Sequence, residues 1–307
     1  VTRLKNLSTG KKVALAFGLL FLIVIIIGAA TGSAGKNDEY QPQNEFILDP
    51  WVSIKIGGLD LSINKAVLYL FLAAGFTCFA MVYIAKRMQQ KPNNVQTAVE
   101  AAYDLTNNNI TRGNMDPQMA AKWFPFVATL FFFIWFSNLI GYFPLPTNSQ
   151  ETFNLFGLKI PSFALYAATA NISVPLVLTL VVWISYHIEG IRTHGFRGYF
   201  KTFIPAGTPP AMRVPIFAIE LISHFVRIIS LSVRLFANLL AGHLLILFMA
   251  GGLVVLLGIA ALGVVTTAVI AVPFYLFEVV LIATLQAFIF ATLTSIYLGG
   301  ATAAEGH

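Results

Sequence analysis

Two long apolar stretches of this 307-residue chain contain eight side chains that carry charge or strong hydrogen-bonding groups. Glu220, His224, Arg227, Arg234, Asn238 and His243 lie within Val214–Gly258, and Glu278 and Gln286 within Val264–Leu298. At 100° per residue, Glu220, His224, Arg227, Arg234 and Asn238 fall in one stripe about 80° wide, and His243 lies about 140° from Glu220. Ionisable groups at the centre of a bilayer cost roughly 2.5–3.5 kcal/mol each and are retained for function. Imidazole and carboxylate groups exchange protons because their affinities follow their surroundings. A guanidinium keeps its charge throughout. The bland reading is local pairing, in which Glu220 reaches His224 one turn on and Arg227 two turns on. Arg234 escapes that reading, because its nearest carboxylate on the same helix is Glu220, about 21 Å away. It needs an acidic partner or a wet cavity that its own helix does not supply.

The elements that position these residues are membrane helices. Fifty-seven per cent of residues are hydrophobic and 10% are charged, and mean hydropathy is +0.78. Soluble domains carry roughly 25% charged residues, so this composition argues against a water-soluble enzyme, a disordered chain or a nucleic-acid-binding domain. The single cysteine, Cys78, excludes an intrachain disulfide framework and a multi-cysteine metal site. A helix of about 20 apolar residues crosses the bilayer core. Six runs qualify: Val13–Ala30, Ala66–Ala85, Trp123–Pro144, Phe163–Tyr186, Val214–Gly258 and Val264–Leu298. The expected fold is an all-α membrane protein with five core transmembrane helices and an N-terminal signal or anchor helix. Residues 1–30 form the signal or anchor, 31–65 an outside polar segment, and 66–307 the five-helix domain. Neither an inverted repeat nor an alternation of short strands is visible, which disfavours repeat-built transporters and β-barrels.

The net charge of +6 is a topology signal. With residue 1 inside, the inside segments carry Arg3, Lys5, Lys11, Lys12, Lys86, Arg87, Lys91, Arg112, Lys122, Arg192, Arg197, Lys201 and Arg213. The outside segments carry only Lys36, Lys55, Lys65 and Lys159. The first run follows a basic stretch and precedes small residues, as a secretory signal does, and is equally readable as a retained anchor. Either way it sends the segment from Thr31 outside. Asn93–Asn109 reads as an amphipathic helix on the cytoplasmic side.

The last two runs are too long for simple spans. Val214–Gly258 would measure about 68 Å as continuous helix and Val264–Leu298 about 52 Å, so a steeply tilted hairpin is expected. Thr208-Pro209-Pro210 marks the start of the first helix, and Pro273 is placed to kink the second. With the turn near residue 261, His243 and Glu278 are level, as are Arg234 and Gln286. Ala283, Ala287, Ala291, Ser295 and Gly299 recur every four residues, a face that lets another helix approach closely.

The run Ser230–His243, SLSVRLFANLLAGH, resembles the signature of subunit a of the F-type ATP synthase membrane sector, and Leu285–Leu298, LQAFIFATLTSIYL, resembles that family's last helix. The likeness extends more loosely from about Leu61 to the C-terminus. It implies that Arg234 is the family's essential arginine, Asn238 the polar residue one turn on, and Gln286 the glutamine facing the arginine. Glu220 and Ser230 match polar positions on the cytoplasmic side. His243 and Glu278 match the pair lining the outer access path, and Asn138 matches an outer-side polar position. Two departures stand out. The interval from Glu278 to Gln286 is eight residues, one longer than usual in the family, and Gly141 lies where some members have an acid.

The resemblance further implies a non-catalytic, proton-translocating stator beside a ring of c subunits, with peripheral-stalk subunit b and the rest of the F1F0 complex as partners. No cofactor or nucleic acid is implied. The expected location is the bacterial plasma membrane, with the mitochondrial inner membrane as the alternative. Two offset half-channels would meet at the ring carboxylate: His243 and Glu278 on the outer path, Glu220, His224 and Ser230 on the inner, and Arg234 between. The competing readings are a stand-alone proton- or cation-coupled secondary transporter and a membrane scaffold without transport.

Overall fold

The computed structural model describes residues 45–57, 59–89, 93–147, 152–155, 158–161, 163–205, 207–249, 269 and 271–303. The 1–30 signal or anchor, the first part of the 31–65 segment and the turn near residue 261 lie outside them. Five helices are long and apolar enough to cross a membrane: α1 (Lys65–Lys86), α3 (Pro117–Gly141), α4 (Ser173–Lys201), α5 (Arg213–Leu247, preceded by a 3-10 turn at Pro210–Met212) and α6 (Val272–Thr302). The shorter α2 (Asn94–Asp104) runs on as a π-helical stretch, Leu105–Thr111. The chain is therefore an all-α membrane protein. Among the described residues, strands are confined to three short antiparallel pairs: β1–β2 (Lys55–Ile56 with Leu59–Asp60), β4–β5 (Thr152–Leu155 with Leu158–Pro161) and β3–β6 (Leu145–Pro146 with Phe163–Ala164).

Helix boundaries follow capping chemistry. The Asn64 side chain accepts from the Val67 amide and starts α1, and Asn93 accepts from the Gln96 amide and starts α2. Asp116 precedes Pro117 at the first position of α3, where the missing N–H costs nothing. The third core span differs from its sequence reading. Phe163–Ala170 is not helical: β6 covers its start and a 3-10 turn occupies Ala168–Ala170. Helix α4 begins ten residues later at Ser173 and continues past Tyr186 to Lys201, with a break at Gly195 (φ 70°, ψ 162°) that only glycine adopts readily. Hydropathy marks what is apolar, and it scored the buried non-helical stretch as part of the span.

The chain divides into two compact units. One comprises Leu48–Pro144, Tyr166–Leu240 and Leu281–His307, and the other Val1–Ile47, Leu145–Leu165 and Ala241–Val280. In the first, the small-residue face of α6 docks on α3 and on the π stretch after α2. Ala283, Ala287, Ala291 and Ser295 are fully buried. The Ser295 hydroxyl donates to the Ile110 carbonyl at 2.8 Å, the Asn138 amide to the Ala283 carbonyl at 3.3 Å, and the Trp135 indole to Thr284 Oγ1 at 3.0 Å. Interhelical hydrogen bonds in membranes average about 0.6 kcal/mol each, so close backbone approach along the small residues is the larger share of this interface. Gly141 serves the same end on α3, where a Cβ would come within 2.7 Å of Ala167 Cα. The opposite surfaces of α1 and α5 present exposed apolar side chains, among them Phe71, Phe79, Ile219, Ile222 and Ile229. This is the pattern of helices that meet lipid or another apolar partner.

Candidate functional site

The polar side chains of α5 fall into three levels along its 35 residues. At the level assigned to the cytoplasm from the sequence, α4, α5 and α6 line a cavity of about 250 Å³ with Tyr186, Tyr199, Phe203, Glu220, His224, Arg227 and Tyr297. It has room for several waters. Glu220 is central to it: Arg227 Nη2 donates to Glu220 Oε1 at 3.3 Å, and His224 Nε2 lies 3.7 Å from the same oxygen. His224 is buried and walled by aromatic groups. Tyr186 Oη lies 3.0 Å from its Nδ1, the Trp183 indole donates to its backbone carbonyl at 3.1 Å, and the Phe203 ring stacks on it at 4.6 Å. The structure thus brings together Glu220, His224 and Arg227, the local pairing of the bland reading. The aromatic lining was not anticipated, because a tyrosine or phenylalanine in an apolar run gives no sign of which cavity it will face.

At the middle level stand Ser230, Arg234 and Asn238, all exposed, while Leu231, Ser232, Leu235 and Leu239 fill the buried face of the same helix. Arg234 Nη2 donates to Ser230 Oγ at 3.5 Å, a long contact. Among the described residues, no carboxylate pairs with Arg234. Gln286 is buried on α6 beside the small-residue face that docks on α3, and among the described residues no hydrogen bond joins it to Arg234. The packing of the described residues leaves the guanidinium exposed.

At the level assigned to the outside from the sequence, His243 and Glu278 are both buried. The Glu278 carboxyl group rests against Gly242: a Cβ built there would lie 2.6 Å from Cδ and 2.9 Å from Oε1. Glu278 is thus beside the residue adjoining His243, as the hairpin arithmetic requires. It also opens a π-helical stretch, Glu278–Ile282. A π turn is the form in which a helix takes up one additional residue, and it falls within the eight-residue interval from Glu278 to Gln286. Pro273, expected to kink the helix, lies at the start of Val272–Phe277, next to the π-helical Ala271. Asn138 is fully buried: Thr169 donates to its Oδ1 at 2.8 Å, and its amide donates to the Ala283 carbonyl. It ties three segments together.

Comparison with known proteins fits this layout. The family model described as ATP synthase A chain matches residues 67–299, which spans all five membrane helices but for a few terminal residues. The chain belongs to the ATP synthase A chain family. Among its relatives, ATP synthase subunit a of Parvibaculum lavamentivorans is 34% identical over 285 residues, covering 88% of this chain and 96% of that one. The Rubrobacter xylanophilus subunit a is 35% identical, covering 84% of this chain and 91% of that one. The Rhodospirillum rubrum subunit a is 33% identical, covering 85% and 98%. Members of the ATP synthase A chain family are components of the ATP synthase, and this one is a multi-pass protein of the bacterial plasma membrane. Its function is proton translocation in the membrane sector, and a stand-alone transporter is not favoured.

Proposed function

We propose that this subunit is a non-catalytic stator that offers two offset half-channels to a ring of c subunits, with Arg234 between them. The observation that carries this is the exposed guanidinium on an apolar helix, paired with no carboxylate among the described residues of its own chain. A permanent cation in that setting draws a carboxylate from a neighbouring subunit and favours its ionised form. Protons enter from the outside past His243 and Glu278 and reach the ring carboxylate near Asn238 and Gln286. On the other side of Arg234 the protonation site opens to the cytoplasmic cavity through Ser230, His224 and Glu220. The fixed charge opposes direct passage between the two paths, so a proton crosses only by riding the ring. ATP chemistry resides on other subunits, and subunit b of the peripheral stalk holds this one against rotation.

Proton flux in reconstituted vesicles, with this subunit alone and with the c ring, tests the reading. Coupled flux should require the ring. Equal flux without it would mark a self-contained transporter, and no flux in the assembled complex would mark a scaffold.

A further inference from the structure

The cytoplasmic cavity contains a contact that the proton path as described does not use. The Arg227 guanidinium lies over the Tyr297 ring, 5.0 Å from its centroid, while its Nη2 donates to Glu220. One side chain of α5 therefore holds a carboxylate of its own helix and an aromatic face of α6. Its side chain is 30% exposed, so the contact is only partly screened by solvent. Helical geometry gives that contact reach. Arg227 and Arg234 are seven residues apart, about 10.5 Å along α5, and about 20° apart around it. Tyr297 and Gln286 are eleven residues apart on α6, about 16.5 Å along it, and again about 20° apart around it. A slip of one residue on either helix would shift the central level by about 1.5 Å and turn it by about 100°.

We propose that Arg227 and Tyr297 form a clamp that fixes the register and rotation of α5 against α6, making Arg227 a positioning residue for Arg234. The inference rests on the reading of Arg234 given above. Guanidinium suits the task because its planar face stacks on the ring while its edge donates to Glu220. The bare alternative is that Arg227 only neutralises Glu220, in which case Tyr297 is a bystander.

ATP-driven proton pumping by the reconstituted holoenzyme separates the two, with ATP hydrolysis and c-ring co-purification measured in parallel. Arg227→Ala and Tyr297→Leu should each lower pumping about five-fold while hydrolysis continues, a loss of coupling in keeping with one partly exposed cation–aromatic contact. The double variant should be no worse than the poorer single one, since both remove the same contact. Tyr297→Phe, which keeps the ring, should retain most of the pumping that Tyr297→Leu loses. If Arg227→Ala does not assemble, Arg227→Gln serves in its place and should show the same five-fold loss. Multiplying losses in the double variant, a Tyr297→Phe enzyme as impaired as Tyr297→Leu, or unchanged pumping in the single variants would each overturn the clamp. Arg234→Ala is the companion control. Normal pumping there overturns the functional reading itself, whereas stopped pumping there with normal Arg227 and Tyr297 variants overturns the clamp alone.

Discussion

The outer level depends on a glycine as much as on its titratable groups. Gly242 has no side chain, and the Glu278 carboxyl group occupies the space where one would be. Gly242→Ala must push that carboxyl group away, and overpacking of this kind costs about 1–3 kcal/mol. Pumping by Gly242→Ala should therefore fall several-fold in an assembled complex. His243→Ala and Glu278→Ala should likewise slow coupled proton conduction without loss of assembly. Untouched flux in all three would remove these residues from the path. Arg234, His243 and Glu278 were legible in the sequence because an ionisable residue in an apolar run is anomalous wherever it points. Gly242, Tyr297 and Phe203 were not, since each matters only through the side chain that another helix brings to it.

At the scale of elements, the small-residue face of α6 was legible as a periodicity, but its partner was not. The sequence says that a helix can approach closely, and the contacts with Ile110, Asn138 and Trp135 identify the partners as α3 and the π stretch after α2. Ala291 is fully buried in that face. Ala291→Leu inserts three heavy atoms where there is no room and should lower the thermal stability and yield of the complex. Val280→Leu, which enlarges a side chain at an exposed position, should be tolerated. Equal yield for the two would mean that the face is lipid-facing filler. The start of α4 was misread for a related reason. Apolar character over Phe163–Ala170 reflects burial, since Ala164, Tyr166 and Ala167–Ala170 are nearly inaccessible, and burial alone does not distinguish helix from compact loop.

For the whole molecule, the basic residues set the orientation. Thirteen cluster in the segments assigned to the cytoplasm and four outside, a bias strong enough to direct insertion. Single cysteines at exposed Ser53 and Thr193, in a Cys78-free background, should react with impermeant reagents from opposite sides of the membrane. Labelling from the same side would invert one half of the topology and separate the two proposed half-channels from their assigned compartments.

The central claim is that Arg234 supplies a charge that the chain cannot replace, held outward for a carboxylate on another subunit. The most direct test is ATP-driven proton pumping by reconstituted holoenzyme carrying Arg234→Ala, beside Arg234→Lys and Arg227→Ala. Arg234→Ala should stop pumping and open a passive leak, because the barrier between the half-channels is gone. Arg234→Lys should be severely impaired, since charge persists but the planar donor fork and its reach are lost. Arg227→Ala should be milder than either. Normal pumping by Arg234→Ala, or greater damage from Arg227→Ala, would contradict the account.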